Sequence, residues 1–419
     1  MRVVIISRSD QTGGAAVVSH RLMLALRAEG VDARMLVCEK VTDSPFVELA
    51  ASPRRIRSAF LSERLKVFIA NGFDRSTLFK IDTCSDGVPL WRHRLVQEAD
   101  VICLGWVNQG MLSFEGICSL IDTGKPLVWT MHDMWNMTGI CHHAGDCGRF
   151  GGRCGECPLL GEKASPTDLS AAVWQKKHDL YNLGAIRFVA VSNWLKSKAQ
   201  QSSLLSDQDV DVIPNPFNAA AAEPHSRQKD GKTCLLMGAA RLDDPVKGLP
   251  VLAEATRILA KENPELAEKL ELLTFGGVKN PASFDGFGIR HRHLGKIDNA
   301  EDLAGAYAVA DLVVSSSLYE SWGATLAEGQ AYGCVPVSFD RGGQCDIIDD
   351  GHTGILVHFD EDPHKAAESL ARGIIRGIGL ASDAKVRDRM RRSVEERFGY
   401  ESVAGRYIGL FNSLLAKRK

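Results

Sequence analysis

The stretch Ser315 to Gly333 carries two carboxylates, Glu320 and Glu328, around a turn that contains Gly323. The apolar run Leu312-Val313-Val314-Ser315 predicts a strand, and the pattern from Ala324 to Gly333 predicts a helix that stops at the glycine. A helix start offers unpaired N–H groups and partial positive charge, so the amides around Gly323, Ala324 and Thr325 suit a phosphate. Carboxylates accept from vicinal hydroxyls, which fits Glu320 to a sugar and Glu328 to a ribose; the spacing alone fits two solvated acids at a helix start equally well. No Asp-x-Asp closes a predicted strand to hold a metal beside such a phosphate. Arg241 and Lys247 are cations suited to negative charge there, although either one alone reads as an ordinary surface residue.

Other candidates lie in the first half. His132 follows the run Pro126 to Thr130 and so falls at a strand's carboxyl end, the ligand side of an open α/β sheet. Gly13-Gly14 separates the first strand from its helix and lets backbone approach a phosphate or sugar, but it is not a dinucleotide fingerprint. Cys141, Cys147, Cys154 and Cys157 crowd into one glycine-rich segment together with His142 and His143. Cys154-Gly155-Glu156-Cys157 is spaced like half of a zinc knuckle, and four thiolates would leave no open position, making the ion structural. An iron–sulfur cluster, a redox pair or free thiols are the competing readings.

The elements that must position these groups recur with one rhythm. Val3 to Ile6, Val31 to Cys38, Val101 to Leu104, Pro126 to Thr130 and Phe188 to Ser192 are continuous apolar runs separated by helical patterns, as in a parallel sheet buried on both faces. A break at Ile213-Pro214-Asn215-Pro216 and a polar stretch follow. The rhythm restarts at Cys234 to Gly238 and continues through Leu270 to Phe275, Leu312 to Ser315, Val335 to Ser338 and Gly354 to Val357. The expectation is α/β throughout: a doubly wound N-terminal domain over 1–213 with a Cys-rich insertion at about 141–158, a linker over 214–232, and a second doubly wound domain over 233–398. A final helix over 399–419, with Val403, Tyr407, Leu410, Phe411 and Leu414 on one face, is expected to cross back to the first domain. Ligands are expected in a cleft between the two domains.

Glu320, Glu328, the following Gly333-Cys334-Val335-Pro336-Val337 and Gly342-Gly343 resemble the E-x7-E signature of retaining nucleotide-sugar glycosyltransferases of family 4, which have the GT-B fold of two Rossmann-like domains. The resemblance covers nearly the whole chain. It extends to Arg241 and Lys247-Gly248 as the basic pair on the donor diphosphate, Ile213-Pro214-Asn215 as the hinge, the Gly13-Gly14 loop, His132-Asp133 and Val191-Ser192-Asn193-Trp194. It implies donor contacts at Gly13, Gly14, Arg241, Lys247, Glu320, Gly323, Ala324, Thr325 and Glu328, with His132 near the transferred sugar. Cys345-Asp346, where many members carry a glutamate, and Gly329-Gln330, in place of Ala-Met, depart from the pattern. The His-Asp-Met-Trp to Cys-x-x-Cys-Pro segment resembles a bacterial polysaccharide-assembly subgroup.

The chain of 419 residues has room for two domains, and 50 Lys+Arg against 52 Asp+Glu leave none of the basic excess that nucleic-acid binding needs. No run approaches a membrane span and no export signal opens the chain, so a cytoplasmic location is expected. Pro53 to Ile69 is basic, with Ile56, Phe60 and Val67 near one helical face, so it suits either a bilayer surface or the domain core; the lipid-linked acceptors of the resembling family imply contact with the cytoplasmic face of the inner membrane. The expected activity is metal-independent transfer of a hexose from a UDP- or GDP-sugar to a saccharide acceptor, lipid-linked, in surface or exopolysaccharide assembly. A GT-B nucleotide-sugar epimerase or phosphorylase, and a non-catalytic zinc-bearing scaffold, are the rivals.

Overall fold

The computed structural model describes residues 1–219, 222 and 231–417; residues 220, 221 and 223–230 of the expected linker lie outside them. The chain forms two compact units, one of Met1–Pro216 with Val403–Lys419 and one of Phe217–Ser402.

The first unit contains strands β1 (Arg2–Ser9), β2 (Asp32–Glu39), β3 (Val47–Leu49), β4 (Val101–Leu104), β5 (Leu127–Met131), β6 (Ile186–Ala190) and β7 (Val210–Val212). They form one sheet in the order β3-β2-β1-β4-β5-β6-β7, with every neighbouring pair parallel. Val3 to Ile6, Ile102 to Leu104 and Leu127 to Met131 are all buried, as strands covered on both faces must be. The helix Gly14–Ala28 covers β1 through Val18, Leu22 and Leu26. The C-terminal helix Tyr400–Ala416 buries Val403, Tyr407 and Phe411, and the Tyr407 hydroxyl shares a 2.9 Å hydrogen bond with Thr130 of β5. Its Leu410 and Leu414 are only half-buried.

The second unit contains β8 (Thr233–Arg241), β9 (Leu270–Gly277), β10 (Arg290–His293), β11 (Leu312–Ser315), β12 (Val335–Phe339) and β13 (Ile355–Val357), again all parallel, in the order β10-β9-β8-β11-β12-β13. The helices Leu249–Glu262 and Pro363–Ala381 contribute Leu252, Leu259, Leu370 and Ile374 to a core shared with Leu235, Leu272, Val314 and Val337. Strands β3, β7 and β10 were not anticipated. In both units the sheet order reverses beside the first strand, between β1 and β4 and between β8 and β11, and open parallel sheets bind ligands at the carboxyl ends flanking such a reversal.

Candidate functional site

In the second unit, the reversal between β8 and β11 is where the acidic and basic candidates meet. Lys247 Nζ donates to Glu320 Oε1 at 2.6 Å, and Ser317 Oγ donates to the same oxygen at 2.8 Å. The two loops that bring this about are stitched together: Leu318 N–H donates to Val246 O and Ser316 Oγ to Lys247 O, both at 2.8 Å. Gly248 makes the approach feasible. Its φ is 64°, and a Cβ there would stand 2.0 Å from the Ser316 carbonyl oxygen. On the far side, Gly343 N–H donates to Glu320 O at 2.7 Å, fixing the backbone of the acid itself.

Gly323 caps the helix Ala324–Ala331 at φ 103°, with Ala324 and Thr325 in its first turn. No side chain caps that end, which leaves its first amides for a ligand. Glu328 lies on the second turn and is only 8% exposed, so it is not a solvated acid; Tyr307 Oη donates to its Oε2 at 2.9 Å. Tyr307 was missed by sequence reasoning, because a tyrosine in an apolar helix carries no signal of its partner. Arg241, the last residue of β8, is exposed, and its Nε donates to Asp243 Oδ1 at 2.8 Å rather than to either glutamate. Gln330, one of the two departures from the resembling pattern, is buried and donates to Thr353 O at 2.8 Å.

In the first unit, His132 follows β5 directly, and burial pulls its pKa down to about 4 against the opposing pull of Asp133, so the imidazole is neutral near pH 7. Asp133 is held by three donors: Trp106 Nε1 at 2.9 Å, Trp135 N–H at 2.8 Å and His142 Nδ1 at 2.8 Å. His142 Nε2 meets Asp82 Oδ2 at 2.7 Å, and Asp82 also pairs with Arg64. Burial works against charge on His142, but Asp133 and Asp82 outweigh it and raise its pKa to about 10. The sequence offered His142 only as a neighbour of the cysteines; the structure makes it a buried imidazolium clamp on the loop that follows His132. Gly13, with φ 91°, and Gly14 have open space around them at the start of their helix. Asp10 secures that loop by accepting from Val41 N–H at 2.8 Å and from Thr42 N–H at 3.0 Å.

None of the eleven cysteines is paired in a disulfide. Cys141, Cys147, Cys154 and Cys157 line one cavity of about 20 Å³ with Gly139, Phe150 and Ser170. Gly139 N–H donates to Cys154 Sγ at 3.2 Å. Burial pushes the Cys141 thiol up to about 12. Among the described residues no three His, Cys, Asp or Glu side chains are grouped so as to hold a metal ion, so the thiols border a common space without forming a ready cage.

The helix Pro53–Ala70 decides between the two readings of its apolar face. Ile56 and Val67 are buried and Phe60 is half-buried, so that face packs on the domain. The exposed stripe is Leu61, Leu65 and Ile69, continued by Phe73 and Phe79 and flanked by exposed Arg54, Arg55, Arg57 and Lys66. No helix among the described residues is long and apolar enough to cross a membrane.

Residues 221–396 match the family model described as glycosyl transferases group 1. The chain is 26% identical over 394 residues to a D-inositol 3-phosphate glycosyltransferase of Arthrobacter sp. (strain FB24), covering 86% of this chain and 80% of the relative. Among solved structures it resembles sucrose-phosphate synthase from Thermosynechococcus elongatus, with TM-score 0.66 and 18% identity over 100% of both chains. It also resembles Anabaena Alr3699/HepE in complex with UDP, with TM-score 0.61 and 15% identity over 99% of this chain and 100% of the other. The fold is GT-B, and the matched domain makes the chain a glycosyltransferase.

Proposed function

We propose that the protein is a retaining hexosyltransferase of family 4 that uses a UDP- or GDP-sugar and a saccharide acceptor, lipid-linked, in surface or exopolysaccharide assembly. The observation that carries this is the Lys247–Glu320 pair, held beside an uncapped helix N-terminus at the reversal between β8 and β11. One cation and a set of free amides suit a leaving diphosphate, and one carboxylate suits sugar hydroxyls. In this reading Lys247 and Arg241 stabilise the departing diphosphate, the amides of Gly323 to Thr325 hold phosphate oxygens, Glu328 takes the ribose and Glu320 the transferred sugar. Neutral His132 on the first unit bonds hydroxyls as an acceptor, beside the Gly13-Gly14 turn. No residue is assigned as a nucleophile; retention follows from attack on the face the diphosphate leaves, through an oxocarbenium-like transition state. The UDP held by the similar Anabaena HepE supports a nucleotide-sugar donor.

Cys141, Cys147, Cys154 and Cys157 are assigned to a structural zinc, supported by their shared cavity and by the Gly139 N–H that donates to Cys154 Sγ. When bound, the ion would tie the insertion down and take no part in transfer. Peripheral contact with the cytoplasmic face of the inner membrane is assigned to Leu61, Leu65, Ile69, Phe73 and Phe79 with their arginine flank. The test is a panel of UDP- and GDP-sugars with neutral and charged acceptors, read by nucleotide release and by NMR of the product anomer. Retained anomeric configuration supports the reading. A folded protein that releases no nucleotide with any pair, or that isomerises the donor without acceptor, refutes it.

A further inference from the structure

Arg8 stands one residue before the end of β1, and its N–H donates to Trp106 O just past β4 at 2.8 Å, bridging the reversal of the first sheet. Trp106 in turn donates to Asp133, so Arg8 belongs to the same rim as His132. The half-buried side chain lies beside the Cys38 thiol at the end of β2, with its guanidinium 5.6 Å from the Phe60 ring. Its Nε and Nη1 are shielded from water and donate to nothing. Among the described residues no carboxylate pairs with it. The contrast with its surroundings is direct: nearby Arg64 and His142 are matched by Asp82 and Asp133.

Arginine cannot shed its proton at any accessible pH, so this cation is permanent. Idle guanidinium donors shielded from water are costly to leave unmade, and a fold that satisfies the neighbouring charges has left this one open. The reversal of an open parallel sheet is where such sheets bind ligands. We propose that Arg8 receives an anionic group, a phosphate or a carboxylate, carried by the acceptor sugar. Both groups match the planar fork of a guanidinium, and both would neutralise it. This rests on the reading of the protein as a glycosyltransferase and deepens it, by making the acceptor a charged rather than a neutral saccharide.

The experiment uses the full chain saturated with UDP and titrates it calorimetrically with glucose, glucose 6-phosphate and glucuronate, and with inositol and inositol phosphate. The wild type is expected to bind at least one anionic sugar at least about 10-fold more tightly than its neutral parent, on the scale of one charge-assisted hydrogen bond. Arg8→Met should erase that preference and Arg8→Lys should keep most of it, with UDP and GDP affinity unchanged in both. Preference for the phosphates identifies a phosphate and preference for glucuronate a carboxylate. Arg8→Gln, which keeps size and donors without charge, serves as a second neutral variant should Arg8→Met fold poorly. A wild type indifferent to acceptor charge, or an Arg8→Gln that keeps the preference, overturns the proposal. Sugar-phosphate preference in a protein that transfers no sugar to any acceptor upholds Arg8 and refutes the transferase reading, so the two failures are distinct.

Discussion

Replacing Glu320 by glutamine separates two roles that the structure joins in one contact. The substitution keeps the shape of the side chain and an oxygen for Ser317 Oγ, 2.8 Å away, but removes the charge that holds Lys247 Nζ at 2.6 Å. Both side chains are about a quarter exposed, at 26% and 23%, so solvent screens the pair and its loss should cost stability at most about 1 kcal/mol. That is a shift of about 2–4 °C in Tm for a domain of this size. Turnover should respond far more. A hydrogen bond to a charged group is worth about 1.5–3 kcal/mol, and if Glu320 makes it to the sugar in the transition state, kcat/KM should fall about 10- to 150-fold. Nucleotide affinity should move the other way. With its carboxylate competitor gone, Lys247 is free for the diphosphate, so UDP or GDP should bind Glu320→Gln as tightly as wild type or more tightly, whereas Lys247→Met should weaken binding about 10-fold or more. Nucleotide-release kinetics and calorimetry on the two variants provide both readouts. A folded Glu320→Gln with wild-type turnover removes the acid from the mechanism, and one that loses nucleotide affinity as Lys247→Met does would make it the holder of Lys247 rather than a ligand of the sugar.

Other outcomes follow from single contacts. Tyr307→Phe removes the 2.9 Å bond to the buried Glu328 carboxylate and should cost about 1–3 kcal/mol of stability, read by denaturant melts, together with weaker nucleoside binding; unchanged values would dissociate Glu328 from the ribose. For His132 the folded pKa of about 4 lies below the ordinary 6.5, so its contribution is complete above pH 6.5 and is lost as pH falls toward 4. The wild type should therefore lose stability relative to His132→Asn across that window, and parallel pH–Tm curves would contradict its burial as a neutral ring. Purified protein should carry about one zinc per chain, lost in a Cys154→Ser, Cys157→Ser double variant along with protection of the 141–158 segment from proteolysis; metal-free, folded wild type would sink the zinc assignment. Leu65→Asp with Ile69→Asp should abolish co-sedimentation with anionic vesicles and leave transfer to a soluble acceptor intact.

The strands that position the site were readable because a parallel strand buried on both faces needs a continuous apolar run, and Val3 to Ile6 or Leu312 to Val314 can be little else. Strand β10 was not, because Arg290-His291-Arg292-His293 lies on a sheet edge with alternate side chains in water, and only its pairing with β9 makes it a strand. The helix Pro53–Ala70 shows a different gap. Two apolar stripes share its period, and which one is buried depends on what packs against it; here the buried face also carries Glu63 and Arg64, engaged with Thr83 and Asp82. The family likeness singled out the acids and bases of the second unit one by one, but nothing in the spacing of Lys247 and Glu320 announces their contact across 73 residues, nor the bond of Arg241 to Asp243. That likeness reached Asp133 but not the Asp82–His142–Asp133 clamp, in which His142 lies 60 and 9 residues from its two partners.

Gly248 sets the terms on which this site can be altered. Because any side chain there collides with the Ser316 carbonyl, a saturation library at 248 should return glycine under a selection for folding alone, before catalysis is asked for. Libraries at 247 and 320 should behave oppositely, tolerating many residues for expression and few for turnover. The backbone contact has no adjustable side chain on either partner, so the distance between cation and carboxylate is not a variable that point substitution at 248 or 316 can tune in small steps. On the proposed donor-site reading, donor preference is then altered by residues around the pair, which is held as a single unit.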